Sequence, residues 1–235
     1  MKKILILLTL TFGFLAQAQN NSDLQKHYEA YFNQMRLQGD VRGIISALTH
    51  LNILNPNEAR KDTLAYLYAN SGQYVQAINV LGAEKNTSAT DLAVEVKAMA
   101  LKSLNQPQLA VQQYDILFSR KADIYLAYEL VDLNLQIGKT VEAKTYIDYG
   151  LNNAKAEDKI PFYDAQQPYQ VAAKAAFTYQ KGLLYYNENK TDIDGAIKII
   201  DEAIAIEPNF SLAKQIKELL LKQKETGTKP TSTPK

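Results

Sequence analysis

The sequence predicts an all-helical protein, a solenoid of five helical hairpins closed by a C-terminal capping helix. Three observations predict it. Gly39, Gly72, Asn105 and Gly138 each follow a helix-like stretch and stand 33 residues apart. Five residues after each comes Ile44, Ala77, Ala110 or Ala143, and four further on comes Leu48, Leu81, Tyr114 or Ile147. Apolar residues otherwise recur at three- and four-residue spacing, as one face of a helix requires, and no apolar/polar alternation bounded by turns marks a strand. A fixed period of this length is the signature of a repeat architecture.

Taken in order, the chain opens MKKILILLTLTFGFLAQAQ: two lysines, an apolar run from Ile4 to Leu15, then Ala16-Gln17-Ala18. That is the layout of a secretory signal peptide over residues 1–18, leaving Gln19 first. The apolar run is shorter than the about 20 residues a membrane-spanning helix needs. Four hairpins follow, over about 25–57, 58–88, 89–121 and 122–154. DTLAYLYANSG (62–72) shows their grammar: an amphipathic stretch stops at Gly, which tolerates the left-handed backbone of a helix end, and YVQAINVL begins almost at once. So short a connection makes the two helices antiparallel neighbours.

A fifth hairpin is expected over 168–208. Its first helix starts near Tyr169, behind Pro168 at the first helical position, and carries Gly182. Its second carries Ala196 and Ile200 and stops at Glu207-Pro208, since proline cannot continue a helix. Ala196 lies 53 residues after Ala143 rather than 33, so 20 residues are inserted, most of them in LNNAKAEDKIPFYDAQQP (151–168). The cap, 209–224, places Leu212, Ile216, Leu219 and Leu220 on one face and lysines on the other. Residues 225–235 belong to a polar, proline-containing stretch expected to be a disordered tail.

These columns resemble the tetratricopeptide repeat (TPR), with its W-x2-L-G-x2-Y, A-x3-F and P pattern. The fifth hairpin matches best, through Lys181-Gly182-x2-Tyr185, Ala196-x3-Ile200, Ala203 and Pro208. The second gives Leu64-Ala65-x2-Tyr68, Ala77-x3-Leu81 and a Gly72-Gln73-Tyr74 turn. The first has Tyr31-Phe32-x2-Met35, Ile44-x3-Leu48 and Asn55-Pro56. The third and fourth follow with Lys97-Ala98-x2-Leu101 and Ala110-x3-Tyr114, then Leu130-Val131-x2-Asn134 and Ala143-x3-Ile147. The resemblance covers roughly residues 25–222, nearly the whole chain after the leader. The first four units are one residue short of the TPR period, and the terminal proline is missing from the second to fourth. A 33-residue period is also that of the ankyrin repeat, whose T-P-L-H turn is absent here. The resemblance implies a right-handed α-solenoid in which Ala65, Ala98, Gly182 and the alanines of the second helices let paired helices approach closely. One hairpin cannot bury its apolar face alone, so the hairpins must stack.

Composition removes several kinds of function. There is no cysteine, hence no disulfide, thiolate site, cysteine nucleophile or lipid-acceptor residue. Without Lys2 and Lys3 the acidic and basic residues balance to within one charge, which supports neither nucleic acid nor an anionic membrane as partner. Only two histidines occur, His27 and His50, in no metal-ligand spacing. Phosphate-binding glycine loops and the G-x-S-x-G elbow are absent. Asp192, Asp194, Asp201 and Glu202 cluster at a helix start, and T-D-I-D-G (191–195) is only a fragment of a calcium loop, so Thr191 or Asp192 is read as a helix cap. No enzyme activity, cofactor or metal is expected.

The positive signal is tyrosine, 15 residues against no tryptophan. The TPR resemblance implies that first helices line a concave face, onto which Asn33, Tyr66, Tyr125, Tyr128, Asp132, Tyr179, Leu183 and Tyr186 would project. Tyrosine offers large contact area with a polar tip, suited to an extended peptide. Glu29, Asp62 and Glu95 stand where the family's carboxylate clamp carries basic or amide residues; only Asn33 fits, so that clamp is not expected. The expected role is a non-catalytic protein-interaction scaffold of the cell envelope, periplasmic or secreted, gripping a protein segment without membrane insertion. The alternative is a small-molecule or glycan-binding accessory protein with residues 155–168 as a lid.

Overall fold

The computed structural model describes residues 21–165 and 167–226; the signal-peptide reading and residues 227–235 of the expected tail lie outside them. The chain divides into two compact bodies, with the boundary between Gln106 and Pro107. The first holds α1 (21–38), α2 (Val41–Leu54), α3 (Glu58–Asn70), α4 (Tyr74–Leu81) and α5 (Asp91–Ser103). The second holds α6 (Pro107–Arg120), α7 (Ile124–Gln136), α8 (Thr140–Asn153), a two-stranded sheet of β1 (Lys159–Phe162) and β2 (Tyr169–Ala172), then α9 (Ala173–Glu188), α10 (Ile193–Ile206) and α11 (Ser211–Thr226). In the first body α2 packs on α3, α3 on α4 and α4 on α5, and in the second each helix from α6 to α11 packs on the next.

The 33-residue column is a repeated helix stop. Gly39, Gly72, Asn105 and Gly138 all have positive φ, between 55° and 74°. The next residue's N–H then reaches back five positions: Asp40 to Met35, Gln73 to Tyr68, Gln106 to Leu101 and Lys139 to Asn134, all at 2.8–3.0 Å. This left-handed terminus satisfies carbonyls that the helix end would otherwise strand. Pro107 then opens α6, where its missing N–H costs nothing. Asp192 caps α10 by accepting from the Gly195 N–H at 3.0 Å, as the sequence suggested.

The small-residue columns face inward. Ala65, Ala77, Ala98, Ala110, Ala143 and Ala196 are all buried. A Cβ on Gly182 of α9 would lie 2.7 Å from Ile200 Cγ1 of α10, and one on Gly150 of α8 would strike the Phe177 ring of α9. Close helix approach is therefore what these positions provide. In the N-terminal body the long 82–90 connection is pinned from both sides. Thr90 Oγ1 donates to Asp62 Oδ2 at 2.6 Å, and the buried Lys97 Nζ donates to the Glu84 carbonyl at 2.7 Å. Burial, then the nearby Lys61, lowers the Lys97 pKa, with Glu84 opposing.

The insertion departs from the expectation that the chain holds no strand, within a fold that is otherwise the predicted helical repeat. It is a β-hairpin, and α9 begins at Ala173 rather than near Tyr169; Pro168 precedes a strand. β1 and β2 are antiparallel, pairing Lys159 with Ala172, Ile160 with Val171, Pro161 with Gln170 and Phe162 with Tyr169. Ala173 N–H donates to the Asp158 carbonyl at 2.8 Å, which makes Pro161 and Gln170 a pair that exchanges no hydrogen bonds. Proline is tolerated there because its nitrogen faces outward. Ile160, Phe162 and Val171 point into the core. Glu207, the last residue before Pro208, fixes the hairpin: Lys159 Nζ lies 3.7 Å from its carboxylate, and the Ala172 N–H donates to it at 3.4 Å.

The capping helix runs to Thr226, two residues into the presumed tail, and buries Leu220 while Leu219, expected on the same face, is 48% exposed. It consumes the acidic cluster of α10. Lys217 pairs with Asp201 at 2.6 Å and Lys224 with Asp194 at 2.7 Å. Phe210 and Ala213 anchor its start in the core.

Candidate functional site

The C-terminal body concentrates its aromatic residues where the hairpin meets the first helices. Phe162 of β1 lies 5.9 Å from the Tyr128 ring of α7, 5.7 Å from Tyr169 of β2 and 4.8 Å from Phe210. Tyr128 also meets Phe177 of α9 edge-on at 5.8 Å, and Tyr179 of α9 meets Phe210 at 5.1 Å. Five chain segments, β1, β2, α7, α9 and the stretch before α11, thus contribute to one aromatic cluster. Gln180 Nε2 donates to the Tyr128 carbonyl at 3.2 Å, fastening α9 to α7.

Its charge is one-sided. Burial is the main cause that raises the Tyr128 phenol well above its ordinary value of 10, with Asp132, Tyr179, Glu129 and Tyr169 adding to it. Tyr179 is raised by burial, then by Asp132, Asp164 and Tyr169. Tyr169 is pushed up to about 12, again chiefly by burial; the Leu212 N–H that its oxygen accepts opposes this, and Asp164 beside its hydroxyl adds to it. Asp132 of α7 and Asp164 of the hairpin loop therefore act on the same phenol.

The eight residues singled out in the sequence separate by exposure. Asn33 and Tyr66 in the N-terminal body and Tyr125 in the C-terminal body are exposed. Tyr128, Asp132, Leu183 and Tyr186 are half-buried. Tyr179 is only 4% exposed. Tyr186 donates to Gln223 Oε1 of α11 at 2.8 Å and carries the Lys190 ammonium over its ring. Phe162, Tyr169 and Phe210 were not among those eight. Phe162 and Tyr169 were visible as aromatics of the insertion, but nothing in a single sequence aims them at α7.

Among the described residues no group of three or more His, Cys, Asp or Glu is placed to hold a metal, and no helix is long and apolar enough to cross a membrane. The two histidines both touch Tyr28: His50 stacks on its ring at 4.2 Å and His27 meets it edge-on at 5.4 Å.

No family model matches the sequence, and no curated protein matches it. Solved structures do. The crystal structure of MamA protein is similar with a TM-score of 0.55 and 16% identity, over 91% of this chain and 100% of that one. The fold is a TPR-like helical repeat. A tetratricopeptide repeat protein from Parabacteroides merdae ATCC 43184 aligns at 15% identity over 88% of this chain and 80% of its own, with a TM-score of 0.43. The APC/C hetero-tetramer Cut9-Hcn1 aligns at 14% identity over 87% of this chain and 40% of its own, with a TM-score of 0.46. At 16% identity the likeness to MamA protein speaks for the TPR-like fold of the α-solenoid class and leaves the role to the residues.

Proposed function

We propose that this protein is a non-catalytic interaction scaffold of the cell envelope that binds a protein segment on the exposed faces of its first helices. The observation that carries this reading is that the first-helix positions Asn33, Tyr66 and Tyr125, two of them aromatic, stand open to solvent. Exposed tyrosines offer a docking segment large contact area together with a polar tip. Tyr179 serves as support rather than contact, since Phe210 packs against it. The leader-like first 18 residues support export to the periplasm or beyond.

The test is crosslinking in the intact envelope with wild-type protein and with Tyr66→Ala plus Tyr125→Ala. Both residues are exposed, so the double variant keeps its fold, checked by circular dichroism. Loss of the captured partners is expected; an unchanged partner profile would sink the reading. The alternative of a small-molecule or glycan pocket lidded by the insertion gains less support. The hairpin does fold over the tyrosine face, but its own Ile160, Phe162 and Val171 take the space beneath it.

A further inference from the structure

We propose that Asn86 is an acceptor of N-linked glycan, its amide nitrogen taking an oligosaccharide from a polyprenyl-diphosphate-linked donor after export. The proposal rests on the export reading, because this modification belongs to surface loops of secreted chains. Asn86-Thr87-Ser88 is the tripeptide that the transfer requires: asparagine, a residue other than proline, then a hydroxyl residue. It lies in the 82–90 connection of the N-terminal body, where Asn86, Thr87 and Ser88 are all exposed. Asn86 Oδ1 accepts from the Ser88 N–H at 3.0 Å, and the Ala89 N–H donates to the Asn86 carbonyl at 3.3 Å. The segment is therefore a tight exposed turn whose amide oxygen is held by the very residue that carries the required hydroxyl. Its anchors lie outside the tripeptide. Lys97 Nζ holds the Glu84 carbonyl and Thr90 Oγ1 bonds Asp62, so residues 86–88 can enter a transferase without any helix coming apart.

Three other tripeptides have the same composition, and the structure sets two of them apart. In Asn209-Phe210-Ser211 the middle residue is fully buried, its ring against Phe162 and Tyr179, so presenting that asparagine would pull an anchor out of the core. Asn189-Lys190-Thr191 closes the turn between α9 and α10. There Asn189 Nδ2, the nitrogen that would react, donates to the Tyr185 carbonyl at 3.1 Å, and Lys190 sits over the Tyr186 ring. At Asn86 the hydrogen bond falls on the oxygen instead. The last, Asn20-Asn21-Ser22, has its asparagine outside the described residues. The step itself balances: a bond forms between Asn86 Nδ2 and the anomeric carbon of the glycan while that carbon's bond to the diphosphate oxygen breaks. The nitrogen gives up one proton to a base of the transferase, and polyprenyl diphosphate leaves.

The experiment recovers the full-length gene's product from its own cells and reads its intact mass, its N-terminus and, after proteolysis, the residue that carries sugar. Wild-type protein is expected to exceed the mass of its polypeptide by whole sugar residues, all attached at Asn86. Asn86→Asp keeps the oxygen that makes the turn and removes the nitrogen that reacts, so it should lose the added mass entirely while its urea midpoint stays at the wild-type value. Ser88→Ala should lose the added mass as well, and Ser88→Thr, which restores a hydroxyl, should keep it. Sugar that persists in Asn86→Asp or in Ser88→Ala, or that maps to Asn20, Asn189 or Asn209 instead, overturns the assignment. The N-terminus separates this failure from failure of the export reading. Sugar-free wild-type protein that begins at Gln19 overturns the glycan site and leaves export standing; sugar-free protein that still begins at Met1 overturns both.

Discussion

At the scale of single residues, the molecule is governed by where a Cβ fits. Gly182 must be small because Ile200 sits against it, and Gly138 must be flexible because the helix turns back at φ 74°. Gly182→Ala is therefore expected to lower stability by about 1–3 kcal/mol through overpacking, read as a fall in the urea midpoint with unchanged slope. Gly138→Ala should cost about 1 kcal/mol, whereas Asn105→Gly should be neutral or mildly stabilising, since Asn105 already holds φ 55° with a side chain attached. Equal losses at Asn105 and Gly138 would show that the column is not a set of equivalent left-handed stops. These positions were legible in the sequence because each requirement is local: a turn needs a residue that tolerates positive φ, and a close helix crossing needs a small one.

At the scale of elements, the β-hairpin is where the sequence was least informative. Alternation is present, with Ile160 and Phe162, then Tyr169 and Val171, facing the core. Four residues per strand are too few to register as a period, and Pro161 argues against a strand until its outward, unpaired position is known. The hairpin's stability is expected to depend on Phe162, which contacts Tyr128, Tyr169 and Phe210. Phe162→Ala should cost about 3–5 kcal/mol and show as faster amide exchange in α9 and α11 of the C-terminal body.

The same cluster makes that body sensitive to alkali. Tyr128, Tyr169 and Tyr179 hold their protons more tightly when folded than the ordinary value of 10 allows. The unfolded chain therefore releases protons first as pH rises. The stabilisation is whole below about pH 10 and is lost progressively through the native values, about 12 for Tyr169. Tyrosinate absorbance should lag behind that of free tyrosine and then rise together with loss of helicity; smooth, unlagged titration of all the tyrosines would contradict the buried cluster.

At the scale of the whole molecule, the helical-repeat fold was readable because its information is redundant: the period is written four times and the fifth copy carries the fullest motif. The candidate site was readable only in part. Exposure of Tyr66 and Tyr125 follows from helix face, but burial of Tyr179 depends on Phe210, 31 residues away, and on the hairpin that no local rule aims at α7. Export is tested at this scale too. Expressed in a secreting bacterium, the protein should be recovered outside the cytoplasm beginning at Gln19, as read by N-terminal sequencing; a product that retains the first 18 residues would contradict the signal-peptide reading.

Pro161 carries a consequence for life in a crowded compartment. A two-stranded ribbon has open rims, and an open rim invites another molecule's backbone to extend the ladder into a fibril. On β1 that invitation is withdrawn by an imide nitrogen that has nothing to donate, and on β2 the Glu207 carboxylate already occupies the Ala172 amide. Replacing Pro161 with valine would leave the interior untouched and reopen the seam to self-association.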